Sequence, residues 1–220
     1  MRFALLALAA STAAFSVASA QEAAQAPAAP AAEAAAPAPA AEAAAPAAPP
    51  EQQLAPLPTD PLGLTILDTL DKVCKPIATS TGKQEDVAKA AGFTLQKKLW
   101  TKVVDKASGV QIVLVPWSQA NPTTCTMTIN HAKGGFQGMV NGIHAWASRQ
   151  DPILQLRAPY SYIDQTSRVP IKRTTVGWET ADISTIPTKT GMSFTQLERT
   201  DGKEIVRGVD QSELMYQIRK

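Results

Sequence analysis

The chain has 220 residues, with 21 Lys and Arg against 19 Asp and Glu, 2 His and 17 Pro, a formal net charge of +2. So mild a balance lacks the dense basic stripe that nucleic-acid binders carry, and nucleic acid is set aside as a partner. After the N-terminal run no segment reaches the roughly 18 consecutive apolar residues that span a bilayer, so no stable membrane insertion of the mature chain is expected.

The opening MRFALLALAASTAAFSVASA reads as a signal peptide over residues 1–20. Arg2 is a minimal positive end, Phe3 to Val17 a short apolar core, and Ala18-Ser19-Ala20 an A-x-A cleavage site. The competing reading is an uncleaved anchor, for which the run is short and alanine-rich. No cysteine stands near the site to take a lipid. The expectation is a soluble, exported protein, most simply periplasmic or else extracellular.

Residues 21–59 are Ala, Pro, Glu and Gln, with a nine-residue unit repeated as AAEAAAPAP (31–39) and AAEAAAPAA (40–48). Alanine favours helix, but proline every few residues removes N–H donors and clashes with the preceding turn. Almost no large apolar side chain is present to offset the entropy of ordering. The segment reads as a disordered, partly polyproline spacer, with a reach of about 120 Å at roughly 3.1 Å per residue. Low-complexity filler without a role is the equal alternative.

Residues 60–220 suffice for one domain with a real core. They hold 20 of the basic residues and 15 of the acidic ones, a mild excess of positive charge. Asp60 and Pro61 predict a capped helix through Leu67, Leu70 and Cys74, disturbed or ended by Pro76. Thr81 and Gln84 suggest a capping box for a second helix that stops at Gly92.

A three-stranded meander follows: FTLQKKLWTKVVD, then Val110 to Val115, then residues 124–131. In the last run Cys125, Met127, Ile129 and His131 alternate with Thr124, Thr126, Thr128 and Asn130, the pattern of a half-buried strand with Cys125 on its inner face. Phe136, Met139, Val140, Ile143, Trp146 and Ala147 then mark one apolar helix face. Glycines at 134, 138 and 142 hint at close backbone approach along it.

The remainder is β-rich, with Asp201-Gly202 as a hairpin signal. In the final segment, 210–220, Leu214, Tyr216 and Ile218 alternate as in a strand, while Asp210 and Glu213 suit a helix start. The expected fold is α+β: two N-terminal helices and an antiparallel sheet of about six strands, with one central helix packed on it.

Cys74 and Cys125 are the only cysteines, and in an oxidising compartment a lone pair is most economically a disulfide. The spacing Cys125-x5-His131-x12-His144 matches no zinc pattern, so no metal and no cofactor is expected. A Cys–His nucleophile needs its base within hydrogen-bond reach, and His131 lies about 20 Å along the same strand. No catalytic residue is assigned. The two acids near Trp178, Glu179 and Asp182, leave a periplasmic hydrolase as the alternative.

The four tryptophans read first as core. Tyr160 and Tyr162, two apart on an extended segment, share one face. With Arg157, Arg168, Lys172 and Arg173 nearby they suggest an aromatic and basic binding surface, although two tyrosines covering a sheet edge would look the same.

An export signal, an Ala/Pro spacer and a small two-cysteine domain carrying Cys74, Ala91-Gly92-Phe93, Trp100 and Cys125 together resemble the uncharacterised secreted, periplasmic two-cysteine proteins of Gram-negative bacteria. The resemblance implies a location and no activity. The resulting expectation is a non-enzymatic envelope protein that binds another envelope protein or an anionic wall polymer.

Overall fold

A computed structural model describes residues 54–181 and 188–219; the run read as a signal peptide, the stretch read as a spacer up to residue 53, and Asp182 lie outside the described residues. Asp60 caps the first helix as expected, its carboxylate accepting from the Gly63 N–H at 2.7 Å with Pro61 at the first helical position. Helix α1 (Pro61–Thr69) widens into a π-helical turn, Leu70–Cys74, and continues as α2 (Lys75–Ala78). Pro76 does not end it. The helix passes through the proline by widening just before it, the Lys75 N–H reaching back five residues to the Leu70 carbonyl.

Helix α3 (Gln84–Ala90) ends at Gly92, whose φ of +81° suits glycine. The capping box does not form. Lys83 is the N-cap without a side-chain bond, and the Gln84 amide spans to the next layer, donating to the Val115 carbonyl at 2.7 Å and accepting from the Trp117 N–H at 2.8 Å.

Among the described residues the sheet has nine antiparallel strands rather than about six, because two expected strands are each divided and the C-terminal segment adds a ninth. The first becomes β1 (Thr94–Gln96) and β2 (Leu99–Asp105) across a two-residue turn at Lys97 and Lys98, φ +49° and +69°. That turn favours Asn-Gly, so Lys-Lys gives no warning of it. After β3 (Val110–Leu114) and β4 (Thr124–His131) comes α4 (Phe136–Ala147). The strand-like stretch ILQLRAPYSYI breaks before Pro159 into β5 (Leu154–Leu156) and β6 (Tyr160–Asp164), both paired to β7 (Ile171–Thr180). Then come β8 (Lys189–Arg199) and the C-terminal segment, which is a strand, β9 (Asp210–Arg219). Asp201-Gly202 does turn the chain, with Gly202 at φ +73°, but residues 203–209 form a loop and the returning strand is the C-terminal segment.

The order is β1-β2-β3-β4-β9-β8-β7, with β5 and β6 sharing the outer side of β7. The core lies between one face of this sheet and the helices, and joins Ile66, Leu70 and Val73 to Met127, Ile129, Phe194 and Leu214. Helix α4 lies on it by its apolar stripe: Phe136 stacks on Phe194 with ring centroids 4.9 Å apart, and Trp146 meets Tyr216 edge-on at 6.5 Å. Of its glycines only Gly142 has a close neighbour; a Cβ there would stand 3.1 Å from Pro58, whereas at Gly138 it would meet nothing within 4 Å. Pro58, within the stretch read as spacer, therefore packs against the domain.

Candidate binding face

Side chains alternate between the two faces of a strand, so the register assigns each residue to the helix-covered face or to the opposite, open one. On β7 the covered positions include Val176 and Trp178, opposite Phe194 and Met192 of β8. The open positions are Arg173, Thr175, Gly177 and Glu179, opposite Leu197, Thr195, Ser193 and Gly191. The hydroxyls of Thr175 and Thr195 bond to each other at 2.9 Å across the two strands. The open face continues onto β9 through Glu213, Met215 and Gln217, and onto β4 through Thr124, Thr126 and Thr128.

Four of the six residues read as an aromatic and basic surface share this open face. Tyr160 and Tyr162 pair with Thr175 and Arg173, and their rings stack at 6.3 Å between centroids while staying 59% and 49% exposed. Arg173 bridges Asp164 at 3.1 Å and Glu213 at 3.2 Å. The Thr166 hydroxyl and N–H, and then Arg173, hold the Asp164 carboxyl below the usual carboxylate range. Arg157 binds the chain to β7 by its N–H, 2.8 Å from the Gly177 carbonyl, and its guanidinium pairs with Glu179. The other two residues are elsewhere. Lys172 points to the helix side of the sheet and pairs with Glu198 at 3.1 Å; Arg168 is exposed in the loop between β6 and β7.

Beside Tyr160 the open face sinks into a hollow of about 280 Å³. Gly177 and Gly191 form its floor, with Met215 and Gln217 along one wall. Among the described residues, Arg157, Lys189, Arg219 and the carboxylate of Glu179 stand around it. None of Gly177, Gly191, Lys189, Gln217 or Arg219 was picked out from sequence. The available signal was an isolated glycine inside each of two strand-like runs, VGWET and KTGMS, which marks a bulge or a close approach to backbone.

The thiol and imidazole groups do other things. Cys74 and Cys125 are joined in a disulfide, Cα atoms 5.1 Å apart, linking the π-helical turn to β4. His131 is buried at the end of β4, and His144 of α4 accepts the indole N–H of Trp178 at 3.2 Å through Nδ1. Among the described residues no group of three or more His, Cys, Asp or Glu is arranged to hold a metal ion. Trp178 is 1% exposed on the covered face and Glu179 is on the open one, so the sheet separates the acid from the aromatic ring beside it in sequence. No family model matches the chain, and neither a curated protein nor a solved structure matches it.

Proposed function

We propose that this chain is an exported, non-enzymatic protein of the cell envelope whose open sheet face binds an anionic wall polymer. The observation that carries the reading is the one-sided sheet. Helices cover one face, while the other presents two stacked, half-exposed tyrosines, a row of hydroxyls and amides, and a group of cations beside a hollow. A polymer of sugar rings bearing negative groups complements such a surface: the rings lie on aromatic faces, and the charges meet Arg and Lys. The signal sequence and the disulfide support export, since disulfides persist in oxidising compartments.

The test is retention of the full chain on purified wall polymer, with Tyr160→Ala/Tyr162→Ala as the variant. The expected result is retention that weakens with salt and falls at least tenfold in the variant. Equal retention of the variant, or selective retention on an acidic envelope protein instead, would overturn the reading.

A further inference from the structure

The β1–β2 hairpin turns on Lys97 and Lys98, at φ +49° and +69°, between the paired residues Gln96 and Leu99. Two central residues at positive φ are what a type I′ turn requires, and Asn-Gly meets that requirement without strain. A lysine in this conformation brings its Cβ close to the carbonyl oxygen that follows, which destabilises the turn. The fold therefore needs a tight turn here and not these two side chains. What Lys-Lys adds is a pair of exposed cations at the tip of the sheet's outermost hairpin, and neither has an ion-pair partner among the described residues.

Apolar side chains surround this tip. Leu95 and Leu99 flank it, Leu95 on the side of the sheet that carries Trp100 and Leu99 on the open side. One position beyond the Trp100–Leu114 pair, Val115 comes level with Leu99, and Trp117 follows two residues later at the same end of the sheet. These four side chains are 38% to 60% exposed. The Trp117 indole N–H donates to the Pro122 carbonyl at 3.2 Å, so its polar atom is satisfied while the ring stays half in solvent. In the segments that build this end, residues 94–101 and 115–124, Lys97 and Lys98 are the only charges. Helix α3, tied to it through Gln84, brings Lys83 and Lys89 against Glu85 and Asp86, which cancel.

We infer that this hairpin end is a docking surface for an anionic lipid bilayer. Leu95, Leu99 and Trp117 enter the headgroup boundary, and the two lysines lie along its phosphates with their stems over the same apolar layer. The contact is peripheral, since strands this short do not cross a bilayer. A sugar polymer would satisfy the lysines and leave the leucines and the indole without an apolar partner, which is why the bilayer is favoured. The inference goes beyond the polymer reading and does not depend on it. Strands β1 and β6 lie at opposite edges of the sheet, seven strand spacings or roughly 30 Å apart.

The experiment is co-sedimentation of the exported protein with phosphatidylcholine vesicles, with and without phosphatidylglycerol. The variants are Lys97→Asn/Lys98→Gly, Leu95→Ser and, as a control at the opposite edge, Tyr160→Ala/Tyr162→Ala. The wild type should bind the anionic vesicles, less so as salt rises. Lys97→Asn/Lys98→Gly should bind about thirtyfold more weakly, since each lysine at an anionic surface contributes roughly fivefold. Its melting temperature should nevertheless rise by about 2–4 °C, because the turn then has the residues its backbone prefers. Leu95→Ser should bind about fivefold more weakly with little change in melting temperature. The tyrosine control should bind like wild type. Brominated lipid in the anionic vesicles should quench part of the tryptophan fluorescence, and Trp117→Phe should remove that quenching.

Wild-type binding by Lys97→Asn/Lys98→Gly, equal binding to the neutral vesicles, or no binding to the anionic ones would each overturn the docking surface. So would hairpin variants that keep their hold on vesicles and lose retention on wall polymer, which would assign the lysines to the polymer instead. Loss of vesicle binding alongside unchanged polymer retention in the hairpin variants supports the inference and leaves the open-face reading untouched.

Discussion

The Ala132 carbonyl can only accept, so Nδ1 of His131, 2.9 Å away, carries a hydrogen and Nε2 accepts from the Ser212 hydroxyl at 2.9 Å. The ring is neutral and 1% exposed. Burial pushes its pKa below the ordinary histidine value, against a weaker upward pull from the Ala132 carbonyl and Asp210. With the folded value depressed, the unfolded chain binds a proton that the folded chain refuses. Stability is therefore intact above about pH 6.5 and declines as pH falls below it. Urea midpoints measured between pH 7.5 and 5 should drop, and His131→Phe should flatten that dependence. The same variant should lose about 1–3 kcal/mol at pH 7.5, because the buried Ser212 hydroxyl is left without its partner. An unchanged slope in the variant would assign the acid sensitivity to another group.

Helix α4 separates propensity from packing at the scale of one element. Gly138 and Gly142 are one turn apart and equally poor helix formers, yet a Cβ at Gly138 meets open space and at Gly142 meets Pro58. Gly138→Ala should stabilise the protein by about 1 kcal/mol, the ordinary helix-propensity gain. Gly142→Ala should gain distinctly less, since Pro58 must shift by a few tenths of an ångström. Thermal denaturation of the two variants side by side measures the difference; equal gains would mean that Pro58 yields freely. The regular spacing of the glycines was readable in sequence. Which one faced a neighbour was not, because that neighbour comes from residues N-terminal to the helical region, in a stretch that composition alone assigns to a spacer.

For the whole molecule, the Cys74–Cys125 bond ties the helical layer to the centre of the sheet across 51 positions. In the chain-entropy account, opening a loop of that length lowers stability by about 4 kcal/mol. Cys74→Ala/Cys125→Ala should show that loss in urea denaturation while the circular dichroism of the folded state is retained. A loss below about 1 kcal/mol would mean that packing of the π-helical turn on β4 alone sets the docking of the two layers. The same long-range arrangement makes the sheet one-sided, and with it the open face on which the proposed binding rests.

Local patterns determined much on their own. Period-two alternation announced β4 and its inward Cys125, the three- and four-residue spacing announced α4, and Asp60-Pro61 announced the start of α1, since each depends on neighbours within a few positions. Alternation also put Tyr160 and Tyr162 on one side of their strand. Only the tertiary structure decided which side was covered, since coverage depends on where α1 and α4 come to lie. It divided the long strands at Lys97-Lys98 and Arg157–Pro159, where pairing across the sheet outweighs local preference. It parted Lys172 and Arg168 from the other cations, and it brought Gly177 beside Gly191. A hollow is made by strands that meet through register, and register is a long-range quantity that no single stretch of sequence contains.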